Sequence, residues 1–428
     1  MKKVVFALGI FLEICFMGFY LIKYLSLRWG VEKLYLGEPR VFTMTFIVLA
    51  IALIIQMVSV ILIFRKDVPY KYVFIFSVIF NLSLLFVWNI GSNDLYTHIQ
   101  RGRMVAKYGA SPYTVTYDSL SYDLFYKETR TVWSGQLSIY GPVFTDFGAI
   151  VSYLAKDSLI ANILIFKLIY SVLNILVGYF IYKITKSSLA SLLYSWSPLV
   201  IFEIQANNHL EILSIFPIVL SLYLLISKTS WKRYVLALSI LTLGSLTKFF
   251  GFVVYPFYLL FAFKKLSTVR EKLLFLFIGG FVQILIVGFS FLPYLDNVGI
   301  LNGFFDLAGG KFISPSLVIL LTYNTLPLFH LNKDIAQTAV QLIYKIYYVF
   351  LGVKSTFSRF TDNVVFVKIL VLVFAGFTLI YLNLILPWYT LTLFALLAIY
   401  YGLSKEKKYI TFVYLLTVYS FLLYLRTV

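Results

Sequence analysis

Asp94, in the segment Ser92-Asn93-Asp94-Leu95-Tyr96, is a carboxylate set at the end of an uninterrupted apolar run over residues 73–90. So placed it suits a general base, which must be an ionised acid within reach of the proton it removes. The plainer alternative is a helix-capping aspartate. Three later segments also end apolar runs in polar groups: Asn207-Asn208-His209-Leu210-Glu211, Thr247-Lys248 and Pro387-Trp388-Tyr389. A lysine at membrane depth must find a partner, so Lys248 reads as a phosphate ligand; a snorkelling stem is the other reading. Arg101 and Arg103 are rival phosphate ligands, or solvated interface charges. His209, Glu211 and Asn208 offer hydrogen bonds to hydroxyls, although a lone histidine is more often a satisfied structural residue. Tyr96, Trp388 and Tyr389 suit a platform for a polar ring, and the last two equally suit an interfacial aromatic belt. Glu203, an acid inside an apolar stretch, is a functional candidate, with Lys167 as its alternative structural partner.

No cofactor is expected. His98 and Asp94 are i,i+4 neighbours on a helix, which leaves a divalent metal open. Three histidines in the whole chain argue against a dedicated cage. The single cysteine, Cys15, lies in the first apolar run and reads as packing, so no disulfide framework is possible within the chain.

The elements that hold these residues must be membrane helices. The chain is 61% hydrophobic and 13% charged, with mean hydropathy +0.91, which excludes a soluble globular domain. Apolar stretches of about 17–24 residues recur, each about long enough to cross a ~30 Å hydrocarbon core as helix. Alternating ten-residue barrel strands are absent. The first run follows Met1-Lys2-Lys3 without a small-residue cleavage site before Lys23, so it reads as a retained span.

Charge orients the chain. The net charge is +18, but the basic residues fall in short clusters such as Lys183–Lys186, Lys264–Lys272 and Lys405–Lys408. The long segment 91–158 balances six basic residues against six acids. That is the positive-inside pattern, a topology signal and not a nucleic-acid footprint. Placing every basic cluster inside requires thirteen crossings, from residues 4–25 to 409–426. Segments 91–158 and 295–338 are then extracytoplasmic, with Val143–Ala155 and Leu317–Leu328 as juxtamembrane or re-entrant helices. Such backbone is tolerated where protein buries it or it lines a wet cavity. The chain reads as one integral domain: an extra helix pair over 1–71, a core over 72–403 and a last helix over 404–428. Within the first outer segment the pattern predicts a helix over Asp94–Tyr108. Asn93 is its N-cap, Gly109 its stop and Pro112 follows. Its amphipathicity suits a helix lying in the interface.

The strings Asp94-Leu95-Tyr96, Gly102-Arg103, Gly109, Ser111-Pro112-Tyr113 and Tyr140-Gly141-Pro142 resemble the first lumenal loop of polyprenyl-phosphate-mannose-dependent mannosyltransferases. These are multi-span enzymes of the GT-C superfamily. The likeness continues through Ser197-Pro198-Leu199, Glu203, His209-Leu210-Glu211, Leu246-Thr247-Lys248 and Pro387-Trp388-Tyr389, in the family's order and over about residues 73–403. Two features depart from the family. Asp94 lacks the second acid that many members carry, and His209-Leu210-Glu211 stands where they have His-Asn-Asp.

The resemblance implies an all-α GT-C helical bundle and a polyprenyl-phosphate sugar donor, most simply a mannosyl one. It implies a glycan or glycolipid acceptor, and membrane lipids around a site on the extracytoplasmic face. Asp94 would be the base of a single inverting displacement, which needs one carboxylate because the phosphate leaves already ionised. Lys248 would hold the donor phosphate. The rival reading is a transporter or flippase for a lipid-linked glycan. Internal repeats and Gly/Pro-broken midplane helices, common in transporters, do not stand out, and the polar residues gather near one surface.

Overall fold

The computed structural model describes residues 2–29, 38–64, 68–295, 333–382 and 385–427, and every regular element among them is helical. Setting aside 3-10 and π turns and the four-residue helix Tyr126–Thr129, they are α1 (Lys2–Arg28), α2 (Pro39–Phe64), α3 (Tyr70–Ser83), α4 (Asp94–Tyr108), α5 (Pro142–Ala155), α6 (Leu159–Thr185), α7 (Ser188–Ser195) and α8 (Pro198–Ile201). After these come α9 (Ile212–Ser227), α10 (Trp231–Lys248), α11 (Tyr255–Lys265), α12 (Val269–Phe291), α13 (Lys333–Phe357), α14 (Asn363–Gly376), α15 (Leu391–Ser404) and α16 (Lys408–Thr427). Five described helices, α1, α2, α6, and α12 and α14 with their following turns, are long and apolar enough to cross a membrane. The bent pair Ser188–Ser195 and Pro198–Ala206 makes a sixth if it is one span. The expected helix over Leu317–Leu328 lies outside the described residues.

Composition sorts the helices by depth. Along α15 every residue from Leu391 to Gly402 is buried, as befits a helix that is apolar all round at the centre of a bundle. On α12 only Phe275 and Gly279 are buried, while Phe277, Phe281, Ile284 and Phe289 face outward as an apolar surface fit for lipid.

The region that bears the site is irregular for local reasons. Ser197-Pro198 interrupts the run after α7, because proline cannot donate to the preceding turn. The chain re-enters helix at α8 and then widens into a π turn, Phe202–Ala206, a distortion common at functional sites. Lys167 on α6 is fully buried and donates to the carbonyls of Val87 and Gln205, satisfying groups freed by the broken helices. Lys167 is therefore a backbone clamp and not the partner of Glu203. Asn81 beside it accepts from Asn174 and Gln205, each at 2.8 Å, so a buried polar knot ties α3 and α6 to the π turn.

Helix α4 forms over the expected residues and ends at Gly109 in the left-handed conformation (φ 60°). Protein covers most of it, however. Residues 97–104 are buried without a break, because α5 packs on one side and the strip 129–136 covers another. The α4–α5 contact depends on glycine: a Cβ at Gly102 would lie 2.2 Å from the Gly148 carbonyl oxygen. We expect Gly102→Ala to destabilise the protein by about 1–3 kcal/mol, the usual cost of overpacking. Thermal unfolding of the purified protein checks this, and an unshifted midpoint would contradict the close approach. α5 has 14 residues and so spans only about 21 Å.

Candidate active site

Asp94 opens α4, where the helix dipole favours a negative charge. Its own N–H donates to Ser92 Oγ at 3.1 Å; the Asn93 side chain makes no cap. The preceding loop is pinned across the bundle, since the Gly91 N–H donates to Asn207 Oδ1 at 2.7 Å. That tie brings Asp94 to the 207–211 connection, which lies between the π turn and α9.

There the fully buried His209 ring lies between two acids. Nδ1 is 3.3 Å from Asp94 Oδ2, and Nε2 is 3.3 Å from Glu203 Oε2. Both separations suit ion pairs, with the ring nitrogens turned off ideal hydrogen-bond alignment. Trp388 stacks on the imidazole, centroids 3.6 Å apart and planes 16° from parallel. Glu203 in turn accepts from Tyr424 at 2.8 and 2.9 Å and from Asn207 Nδ2 at 3.2 Å. Burial alone would discharge His209, but the bonds and charges of Asp94 and Glu203 outweigh it and raise its pKa to about 9. Burial likewise opposes the charge on Asp94, yet His209 holds that carboxyl below its ordinary range. His98, desolvated among Tyr140, Phe144, Phe166 and Tyr170, is pushed down to about 3 and stays neutral.

Lys248 ends α10, and Phe249 caps the helix in the left-handed region (φ 59°), a strained conformation for an aromatic residue. The ammonium donates to Glu211 and lies over the Tyr389 ring at 4.1 Å and the Phe250 ring at 5.1 Å. The turn Tyr140-Gly141-Pro142 docks on this helix end, where the Gly141 N–H donates to the Thr247 carbonyl at 2.9 Å. A Cβ at Gly141 would sit 2.0 Å from the Leu246 carbonyl oxygen, so only glycine fits.

These segments enclose a cavity of about 340 Å³ whose wall includes Asp94, Arg101, Trp133, Tyr140, Lys248, Trp388 and Tyr389. The residues around Asp94, Lys248 and Trp388-Tyr389, far apart in sequence, thus meet at one space. Arg101 joins them, 2% exposed, its guanidinium donating to the carbonyls of Trp133 (3.2 Å) and Gln136. Burial lowers its pKa to about 10. Glu211 reaches the cavity only through Lys248.

Three expected site residues are used elsewhere. Arg103 turns away from the cavity and binds Asp123 through Nε and Nη2, with Asp157 at 3.1 Å, so its charge is already matched. Asp123, despite burial, is held down at about 2 by Arg103, Tyr108, Tyr117 and the Phe125 N–H. Asn208 takes a left-handed conformation (φ 61°) and donates to the carbonyls of Ile204 and Gln205, closing the π turn, and it is not part of the cavity wall. Tyr96 packs against the apolar core and is not part of the cavity wall.

Conversely, Trp133, Gln136 and Thr97 line the cavity and Tyr424 holds Glu203. Thr97 follows Asp94 by one turn of α4 and was within reach of helical spacing, whereas Trp133, Gln136 and Tyr424 are brought in by chain crossings that no local sequence marks. Among the described residues no group of three His, Cys, Asp or Glu side chains is arranged to hold a metal ion.

The chain matches one family model, described as MptA_B family, alpha-(1->6)-mannopyranosyltransferase, N-terminal domain, over residues 26–264. No curated protein and no solved structure matches it. The matched stretch is more than half of the 428 residues and contains Asp94, Arg101, Glu203, His209, Glu211 and Lys248, while Trp388 and Tyr389 lie beyond it. The helical bundle sets Asp94, Arg101 and Lys248 around one cavity, with Glu203, His209 and Glu211 behind them, and the chain belongs to the alpha-(1->6)-mannopyranosyltransferase family.

Proposed function

We propose that this protein moves a mannosyl group from a polyprenyl-phosphate carrier to a hydroxyl of a glycan or glycolipid, with inversion, on the extracytoplasmic face. The observation that carries the reading is the double position of Lys248. It lines the polar cavity that holds Asp94, and it also lines an apolar groove of about 460 Å³. The groove runs between Phe249, Phe250, Phe252 and Val253 on one side and Tyr344, Tyr348 and Val349 of α13 on the other. A donor with its phosphate at Lys248 would lay its isoprenoid chain along this groove and its sugar in the cavity.

In that pose the chemistry is a single displacement. Asp94 takes the proton of the acceptor hydroxyl as its oxygen attacks the anomeric carbon. The bond from that carbon to the phosphate oxygen breaks on the opposite side, and the carrier leaves as polyprenyl phosphate beside Lys248. Arg101, across the cavity, adds positive potential, and Trp388 supplies an apolar face for a sugar ring. The gain comes from positioning and from charges fixed in a water-poor site.

The test is transfer by purified protein from polyprenyl-phosphate-mannose, read by mass spectrometry of the acceptor. Donors with progressively fewer isoprene units should show rising KM with kcat largely kept. Val349→Trp, which fills the groove, should raise KM for long-chain donors alone. Equal transfer from a nucleotide-linked mannose, or a KM indifferent to chain length, would refute the lipid-linked donor. The face is tested separately. Ser119 is exposed, and Ser119→Cys in a Cys15→Ala background should label with an impermeant thiol reagent from outside; labelling only from the cytoplasmic side would reverse the orientation.

A further inference from the structure

Glu203 is a fully buried acid that the displacement does not use, and His209 is a buried ring that leaves no face open to a substrate. Trp388 covers the ring, and acids stand at both nitrogens. Building on the reading of Asp94 as the base, we infer that Glu203 and His209 are positioning residues: a carboxylate–imidazolium–carboxylate bridge that aims Asp94 and keeps it ionised. His209 is then not a sugar ligand.

The geometry supports this in three ways. First, two carboxylates flanking one imidazole favour its protonated form, which offsets one of the two negative charges and has a donor for each acid. Second, the bridge is anchored from behind. Tyr424 on α16 donates to both oxygens of Glu203, and Asn207 holds Glu203 with one side-chain end and the Gly91 loop with the other. Third, one Asp94 oxygen faces His209, and Asp94 also forms part of the cavity wall. The ionised or ionisable groups facing Asp94 and His209 from neighbouring elements are His98, Tyr140, Tyr170, Lys248, Tyr389 and Tyr424. Of these His98 is neutral, and Lys248 is matched by Glu211. The net field on Asp94 is therefore set chiefly by His209. Because the folded-state pKa of His209 is raised to about 9, the bridge contributes stability in full below the ring's ordinary 6.5. That contribution is lost as pH rises through about 9.

Two measurements on the full chain test the bridge. In protein labelled with ¹⁵N-histidine, only three residues give signals. The one assigned to His209 by its loss in His209→Gln should remain an imidazolium through pH 8 and titrate near 9. Glu203→Gln should lower that midpoint by ~1–3 units, the effect of removing one opposite charge. If His209→Gln does not fold, the line moved by Glu203→Gln supplies the assignment.

In transfer assays, His209→Gln should raise the acid limb of the kcat/KM profile by ~1–3 units and lower kcat, leaving donor KM near its original value. Glu203→Gln should bring the alkaline limb down. A neutral His209 at pH 7, or pH limbs unmoved in both variants, would overturn the bridge and reduce the two residues to packing. Failure here is separable from failure of the base assignment. The ¹⁵N titration involves no catalysis, whereas full activity of Asp94→Asn would remove the base while leaving the His209 titration to be read independently.

Discussion

Asp94→Asn is expected to lower kcat by ~10²–10⁴-fold, the usual share of a general base, with donor affinity largely retained. The amide keeps the shape of the carboxylate and its bond to the Ser92 hydroxyl, which the Asp94 main chain makes and not its side chain. What it cannot do is accept a proton from an acceptor hydroxyl. Asp94→Glu should recover only part of the rate, since a displacement of ~1 Å at the reacting centre costs on the order of 100-fold. The carboxylate has little room to adjust, because one oxygen lies 3.3 Å from His209 and the main chain of the residue is fixed at the start of α4. Steady-state transfer at saturating donor, together with donor binding measured on the same preparations, separates the two effects. Near-normal turnover by the amide variant would leave Asp94 as a helix cap next to a histidine and would remove the catalytic group from the proposed mechanism.

Lys248→Met should abolish donor binding and also destabilise the protein, and the pair of effects can be taken apart. Lys248 and Glu211 are 3% exposed and bound to one another. Removing one partner of a buried pair costs about 3–5 kcal/mol, because the other charge is left alone in a poor solvent. The single variant therefore tests two things at once. Replacing both groups by apolar or neutral residues of similar volume is often nearly neutral for stability, so Lys248→Met combined with Glu211→Gln should recover the thermal stability lost in the single change. Donor binding should not recover, since the double variant still lacks the cation at the junction of cavity and groove. A double variant that is stable and binds donor with its original affinity would show that the phosphate is held elsewhere, with Arg101 the first place to look.

The consequences of losing Lys248 differ from a surface-snorkelling lysine in a way the primary sequence alone could not display. From sequence, an isolated lysine near a helix end looks dispensable to the fold, even favourable to remove, because its carboxylate partner is 37 residues away. The tertiary contact reverses that expectation.

How far the chain was legible from its sequence follows the range of the forces involved. Hydropathy locates the helices, because backbone polar groups in lipid must be satisfied within the segment, but it does not give their lengths: thirteen crossings are expected, and among the described residues five helices, or six with the bent pair, are long and apolar enough to span. Local capping chemistry gave α4 to the residue: an aspartate at its first turn and a glycine at its left-handed end are rules that act over four residues. The identity of Asp94, Lys248, Trp388 and Tyr389 as one group was also readable, since polar residues that end apolar runs on the same face converge when the helices bundle.

Partner choice was not readable. Arg101 and Arg103 are two residues apart on one helix with the same charge, yet two residues are about 200° of helical rotation and turn them to different sides. One meets loop carbonyls at the cavity and the other meets Asp123 and Asp157. Glu203 went to His209 and Tyr424 instead of Lys167 because the π turn rotates it toward the site while Lys167 caps backbone carbonyls. The sequence by itself determined a helical protein with membrane-length apolar helices, the bounds of α4 and the residue types able to do the chemistry, since those depend on composition and on contacts within a turn or two. Which carboxylate faces which cation, and that Asp94 is held by a histidine 115 residues downstream, was decided only by packing: such pairs are set by where broken helices cross, and no local rule encodes a crossing.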